Sequence, residues 1–310
     1  MAATSGAAVG TFGARLRAQV ERRESQLVLG LDPDPMSLWP EAIAEAPGDG
    51  PPARRAAAAI AAHCRLLIHA AGPACVAVKP QLACFERLGA AGWGALCEVV
   101  ASARASGLLV LADGKRGDVP VSAVAYAQGL VGSVATPFGE VPGLGADAIT
   151  VNPLLGEDAL DPFVRGARAA RAGAFVLVRT SNPGAADVMD LPLKDGSPVW
   201  ERLAALVDRL GEGDPSDVGA VVGATEPAHL ERMRELMPRA VFLLPGVGAQ
   251  GGRVEDLAPA FAPGRHLGLV TASRSIAGAH RDRAGDPGAA ARAEAERLRE
   301  LAWGLGGEAR

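Results

Sequence analysis

Aromatic side chains are scarce in this chain, at 4% with one tyrosine. The core must therefore be filled by small and aliphatic residues, chiefly Ala, Leu and Val. Cysteine is also rare. The four, Cys64, Cys75, Cys84 and Cys97, form no CxxC pair, and no histidine is placed to complete a zinc site with them. Reduced thiols packed inside a cytoplasmic protein are the ordinary reading. No apolar run is long enough to span a bilayer. Arg15 and Arg17 interrupt the place where a secretory signal would need its apolar stretch. The sequence thus argues against membrane residence. Basic and acidic residues number 31 and 35, for a formal charge of -4, and no basic stripe is visible, so a nucleic-acid partner is not expected. Internal repeats and low-complexity linkers are missing too. With 310 residues, 49% of them hydrophobic, the chain can build one large core. The expectation is one domain over residues 1–310, with roughly the first ten residues flexible.

What recurs instead is a short apolar run, a polar or Gly/Pro break, and an alanine-rich helical stretch. The runs fall at 27–31, 75–78, 108–111, 148–151, 174–178, 218–222, 241–244 and 266–270. Nearly continuous apolar strands are buried on both faces, as in a parallel sheet. Alternation with helices marks βα units, and eight of them close a barrel. Helical spacing of apolar residues is expected over 53–71, 86–106 and 200–210, and in an extra C-terminal helix over 288–305 packed on the outside. The fold class is therefore α/β, a (β/α)8 TIM barrel with long βα loops at 32–52, 136–145 and 181–199. A doubly wound sheet is disfavoured because no GxGxxG follows the first strand.

Barrel enzymes place their chemistry at the C-terminal ends of the strands. Asp32 follows the first run and Lys79 the second. Asp113, Lys115 and Asp118 follow the third, in Asp113-Gly114-Lys115-Arg116-Gly117-Asp118. On an extended chain positions i and i+2 share a side, so Asp113 and Lys115 would project together. Asn152 and Pro153 follow the fourth run, and Arg179, Thr180, Ser181 and Asn182 the fifth. A Gly-rich segment, Gly246 to Gly252 with Gln250 inside it, follows the seventh, and Arg274 follows the eighth. Several have plain alternatives. Asp32 before Pro33 can cap a turn, Lys79 can snorkel, Ser181 can be turn chemistry, Arg116 reads as a surface pair, and the histidines form no cluster. However, the loops after strands seven and eight build the phosphate site of many barrels. A Gly-rich backbone offers N–H groups to an anion, and a guanidinium suits phosphate oxygens.

Together these motifs resemble the orotidine monophosphate decarboxylase family, over about residues 27–276. The carriers are the DxKRxD segment from Asp113 to Asp118, the PGVGAQGG segment from Pro245 to Gly252, Lys79 and Arg274. The long insertions and the C-terminal helix are like those of the larger bacterial branch. The resemblance implies decarboxylation of orotidine monophosphate to uridine monophosphate in pyrimidine biosynthesis, without metal or organic cofactor, by a homodimer with shared active sites. It implies that Asp32 and Lys79 hold ribose hydroxyls, that Asp113 lies beside the substrate carboxylate, and that Lys115 donates the proton. Asp118 and Ser122 would come from the partner subunit, with serine standing where the family usually has threonine. Ser181 would contact the pyrimidine. Gln250 and Arg274 would bind phosphate beneath a closing 246–253 loop. Two other readings remain: a magnesium-dependent sugar-phosphate decarboxylase or aldolase on a related barrel, and a barrel that binds nucleotide without catalysis. The first needs an acidic ligand where Lys79 stands. The second would be marked by loss of Asp113 or Lys115.

Overall fold

The structure is a computed structural model that describes residues 10–225, 227–248, 251–282 and 285–305. The expectation of a flexible start falls almost wholly on residues 1–9, outside the described residues. Eight parallel strands close a barrel: β1 (Leu27–Leu31), β2 (Ala77–Pro80), β3 (Leu109–Arg116), β4 (Ala148–Val151), β5 (Gly173–Arg179), β6 (Val218–Val222), β7 (Phe242–Leu244) and β8 (Gly268–Ala272). Each pairs with its sequence neighbours, and β8 closes on β1 through Leu27 opposite Val270.

Strand parity divides the barrel interior into two levels. Val28, Ala77, Leu111, Ala148, Leu177, Val221, Leu243 and Leu269, one from each strand, belong to one buried apolar cluster. Phe12, Leu16 and Val20 of the helix Phe12–Arg23 join it and plug the lower end, with Phe12 edge-on to Phe175 at 5.9 Å. Burying each large side chain stabilises the fold by roughly 1.5–3 kcal/mol. Two residues further along each strand the chain returns to the same side. Those positions are Gly30, Lys79, Asp113, Thr150, Arg179, Gly223, Pro245 and Thr271. Five of the eight are buried polar or charged residues. The upper level of the barrel is thus a polar floor on an apolar plug.

Several boundaries differ from the sequence expectation. β8 begins two residues late because Arg265–Leu267 forms a 3-10 turn. The expected helix 86–106 is two helices, Leu82–Glu86 and Gly89–Ala105. The break lies at Gly89, whose φ of +63° leaves the helical region. The 136–145 connection is partly an antiparallel hairpin, Ser133–Thr136 with Gly139–Pro142. The C-terminal helix Pro287–Leu305 lies outside the barrel on Ala291, Ala295, Leu298 and Ala302. It closes against the N-terminal edge of β1, where Gln26 donates to the Ala302 carbonyl at 3.3 Å.

Candidate active site

The polar floor is centred on Asp113. Lys79 Nζ, rising from β2, lies 2.5 Å from Asp113 Oδ2, and Lys115 Nζ lies 2.6 Å from Oδ1. Two neutral donors complete the shell. The Thr150 hydroxyl donates to Oδ1 at 2.9 Å and Gln81 Nε2 to Oδ2 at 3.4 Å. A carboxylate has about four acceptor sites, and here all are engaged. Side-chain exposure is 7% at Lys79 and 6% at Asp113, against 42% at Lys115. The carboxylate is therefore sunk in the barrel while one ammonium reaches the mouth.

Burial alone would raise the Asp113 pKa. The charges of Lys79 and Lys115 and their hydrogen bonds outweigh it, and hold the carboxyl well below the usual carboxylate range. Burial likewise disfavours the Lys79 ammonium, but Asp113, and after it Asp32, hold it above its ordinary value. Asp32 Oδ1 stands 4.0 Å from Lys79 Nζ. Asp32 also lines a cavity of about 190 Å³ whose wall includes Ser37, Ser273, Arg274 and Arg281. The pairing array and the cation expected to hold phosphate thus flank one carboxylate.

The backbone delivers these groups by local devices. β3 keeps its ladder with β4 at Leu111 and Ala112, then shifts register before Arg116 meets Val151. Within that irregularity Lys115 has φ +46°, unusual for a residue with a side chain. The i and i+2 expectation holds in outcome, since both side chains meet, but through a bulged and not a regular strand. Arg116 pairs with Glu86 and lies over the Tyr126 ring at 5.4 Å, the structural role expected for it. Asn152 accepts from the Leu154 N–H at 3.1 Å, which is turn chemistry.

Ser181 begins the 181–199 excursion. Its backbone presses on Gly223, where a Cβ would lie 2.7 Å from Ser181 Cα. Arg179, 5% exposed, anchors the same loop by a fork to Asp190 at 2.8 and 2.9 Å. The Gly-rich loop folds on itself: the N–H groups of Gly248, Gly251 and Gly252 donate to loop carbonyls at 2.8–3.0 Å. Those three groups are turned inward. Gln250 lies outside the described residues. Arg274 is exposed and opens the short helix Arg274–Ala277.

Asp118 stands apart from the array. Its Oδ1 accepts from the Val119 N–H at 2.8 Å, and among the described residues no ion pair includes it. Ser122, half-buried, lies in the first turn of the helix Pro120–Leu130. The run of paired charges Lys79, Asp113 and Lys115 therefore ends at Lys115 within one chain. Thr150 and Gln81 are site residues that the strand-end reading overlooks. Thr150 is the one hydroxyl in the apolar run 148–151 but is ordinary there as a strand former, and Gln81 has no distinguishing signal.

The profile of the Orotidine 5'-phosphate decarboxylase / HUMPS family matches residues 25–293. The chain belongs to this family. A Deinococcus radiodurans protein named orotidine 5'-phosphate decarboxylase is 48% identical over 216 residues, covering 68% of this chain and 74% of that one. A Rhodopirellula baltica protein of the same name is 40% identical over 282 residues, covering 87% and 89%. The solved structure of Leishmania donovani OMP decarboxylase matches with a TM-score of 0.69 and 32% identity, covering 94% of this chain and 99% of that one. The matched span includes every strand of the barrel and all nine expected site residues. No helix among the described residues is long and apolar enough to cross a membrane.

Proposed function

We propose that this protein is a carboxy-lyase that converts orotidine 5'-monophosphate to uridine 5'-monophosphate in pyrimidine biosynthesis, with no metal or organic cofactor. The observation that carries the reading is Asp113 held between two ammoniums, at 2.5 and 2.6 Å, in the polar upper level of the barrel. Breaking the bond to the carboxyl carbon releases carbon dioxide and leaves its electron pair on the pyrimidine ring carbon. No adjacent carbonyl accepts that pair simply. Stabilisation must come from charges already in place, which cost no reorganisation during reaction. Lys115 supplies both the positive charge and the proton that quenches the carbanion. Its half-exposed side chain can recover a proton from solvent after each turnover. Asp113 faces the substrate carboxylate, while Lys79 and Asp32 hold ribose hydroxyls and Ser181 the pyrimidine. Arg274 and Gln250 bind the phosphate, far from the reacting carbon, and its binding energy is spent on orienting the ring and closing the 246–253 loop.

The rival enzyme reading is a magnesium-dependent one, so the residue at the end of β2 matters. A magnesium-dependent enzyme of this barrel type needs a carboxylate there. Lys79 would repel the cation, and both oxygens of Asp113 are already engaged by ammoniums. A homodimer with shared sites is part of the proposal. Its support is a group of exposed apolar side chains on adjacent elements: Val121 at 84% and Tyr126 at 38% on the helix bearing Ser122, Phe138 at 98% on the hairpin, and Leu154 at 78% after β4. Exposed apolar side chains of this size suit an interaction surface, and a partner seated there would bring its Asp118 and Ser122 to the array. A single-domain cytoplasmic enzyme fits the four free cysteines.

The test follows orotidine absorbance on adding enzyme, with and without chelator. Wild type should consume the substrate equally in both, and Lys115→Ala should lose turnover while still binding uridine monophosphate. Magnesium-dependent activity would favour the rival enzyme. Nucleotide binding without release of carbon dioxide would favour a non-catalytic barrel.

A further inference from the structure

The proton donor of the proposed reaction sits on a backbone that is not at rest. Lys115 has φ +46°, a region in which a residue with a side chain is strained. Such a conformation persists only where its surroundings fix it. At Lys115 the fixing group is one hydroxyl. The Lys115 N–H donates to Thr150 Oγ1 at 2.9 Å, and Thr150 Oγ1 donates in turn to Asp113 Oδ1 at 2.9 Å. The same Oδ1 receives Lys115 Nζ at 2.6 Å. A closed ring results: Lys115 backbone, Thr150 hydroxyl, Asp113 carboxylate, Lys115 ammonium. Because the ionised carboxylate can only accept, the hydroxyl proton points at Asp113 and its lone pair at the Lys115 N–H. Thr150 is 1% exposed, so no water replaces either bond at low cost.

We propose that Thr150 is a positioning residue for Lys115, locking the β3 bulge so that the lysine ammonium is held over one oxygen of Asp113. It acts through Lys115 and Asp113 and touches no substrate. Valine at this position keeps the branched shape and removes both bonds; serine keeps both bonds and removes a methyl. The inference deepens the proposed decarboxylation and rests on it for the kinetic arm alone.

Thr150→Val should lower kcat by about 10- to 100-fold, the scale of losing a hydrogen bond to a charged group. KM should change by less than about threefold, since nucleotide contacts are untouched. Thr150→Ser should restore most of kcat. A merely structural threonine would lower thermal stability without that split between kcat and KM. A second readout does not require turnover: hydrogen exchange at the Lys115 amide should be slow in wild type and Thr150→Ser, and fast in Thr150→Val. If wild type fails to decarboxylate orotidine monophosphate, the functional reading falls, while the amide exchange still decides the positioning role. An unchanged kcat in Thr150→Val, or a Lys115 amide equally protected in it, would overturn the inference.

Discussion

Replacing Asp113 by asparagine keeps the shape of the side chain and removes the charge on which two ammoniums converge. Lys115 is half-exposed and can turn to solvent. Lys79 cannot, with 7% of its side chain exposed. Coulomb attraction between Lys79 and Asp113 at 2.5 Å is about 7 kcal/mol at an effective dielectric constant of about 20. The next carboxylate, Asp32, is at 4.0 Å, and with 36% exposure its attraction is screened by water. It compensates only in part. Stranding a buried charge by deleting its partner costs about 3–5 kcal/mol. Taking about 2.1 cal/mol/K of unfolding entropy per residue over 310 residues, Asp113→Asn should lower Tm by roughly 5–8 °C. Its pH dependence carries a definite sign. In wild type Lys79 is held above its ordinary value, so its contribution is present below the unfolded-chain pKa and is lost as pH rises through the folded one. In the variant burial acts without Asp113 and depresses Lys79. The unfolded chain then binds more protons, and the variant gains stability on going alkaline. The gap in Tm between the two proteins, measured by scanning calorimetry at pH 7 and 9.5, should narrow at the higher pH. A gap below about 2 °C at pH 7, or one that fails to narrow, would show that the pair does not hold Lys79 in its buried place.

Mixed protomers test the shared site: Lys115→Ala and Asp118→Ala chains, each inactive alone, should recover activity after exchange, because one pocket of each mixed pair is intact. Absence of recovery despite proven exchange would place Asp118 with its own chain. Arg274→Ala should raise KM by about 10- to 100-fold, the scale of a charged hydrogen bond, with weaker inhibition by inorganic phosphate; an unchanged KM would remove Arg274 from phosphate binding. His63 accepts the Trp39 N–H at 3.2 Å and is pushed down to about 4, first by burial and then by His280. The unfolded chain therefore takes up a proton that the folded chain refuses. Between pH 7 and 5 this should cost about 2 kcal/mol of stability that His63→Asn, which keeps an acceptor, does not lose. Parallel losses in both proteins, read by urea denaturation, would count against it.

How much of this was legible in the sequence follows from what each signal depends on. Burial on both faces writes itself as an apolar run, so all eight strands are readable, and parity carries the reading to Lys79 and Asp113. Boundaries are set by weaker local contests. At β8 a 3-10 turn takes Arg265–Leu267 from the expected strand, and at Gly89 one backbone angle divides a helix. The hairpin over 133–142 has exposed arms and no apolar run to announce it. Thr150 illustrates a deeper limit. Its neighbours Ile149 and Val151 are ordinary strand residues, and threonine is itself a good strand former. Propensity therefore gives no reason to notice its hydroxyl. That hydroxyl becomes informative only when the bulge turns the Lys115 N–H toward it, 35 positions away in sequence.

Asp118 marks the opposite case. The DxKRxD spacing puts it five residues past Asp113, which invites a reading in which the three charges form one cluster. The chain instead leaves β3 at Arg116, and Asp118 turns its carboxylate to the Val119 N–H ahead of the helix Pro120–Leu130. A carboxylate so close in sequence to Lys115 and Arg116, yet paired with neither, needs a separate reason to carry its charge there. The exposed Val119, Val121 and Val124 beside it supply one, because apolar residues around an acidic group are expected where a second protein surface covers both. If a partner's array receives Asp118, its carboxylate meets the one ammonium that protrudes, Lys115. Lys79, Asp113, Lys115 and Asp118 would then alternate in charge across two chains, and such a partner would cover the side of Lys115 that is exposed in a single chain.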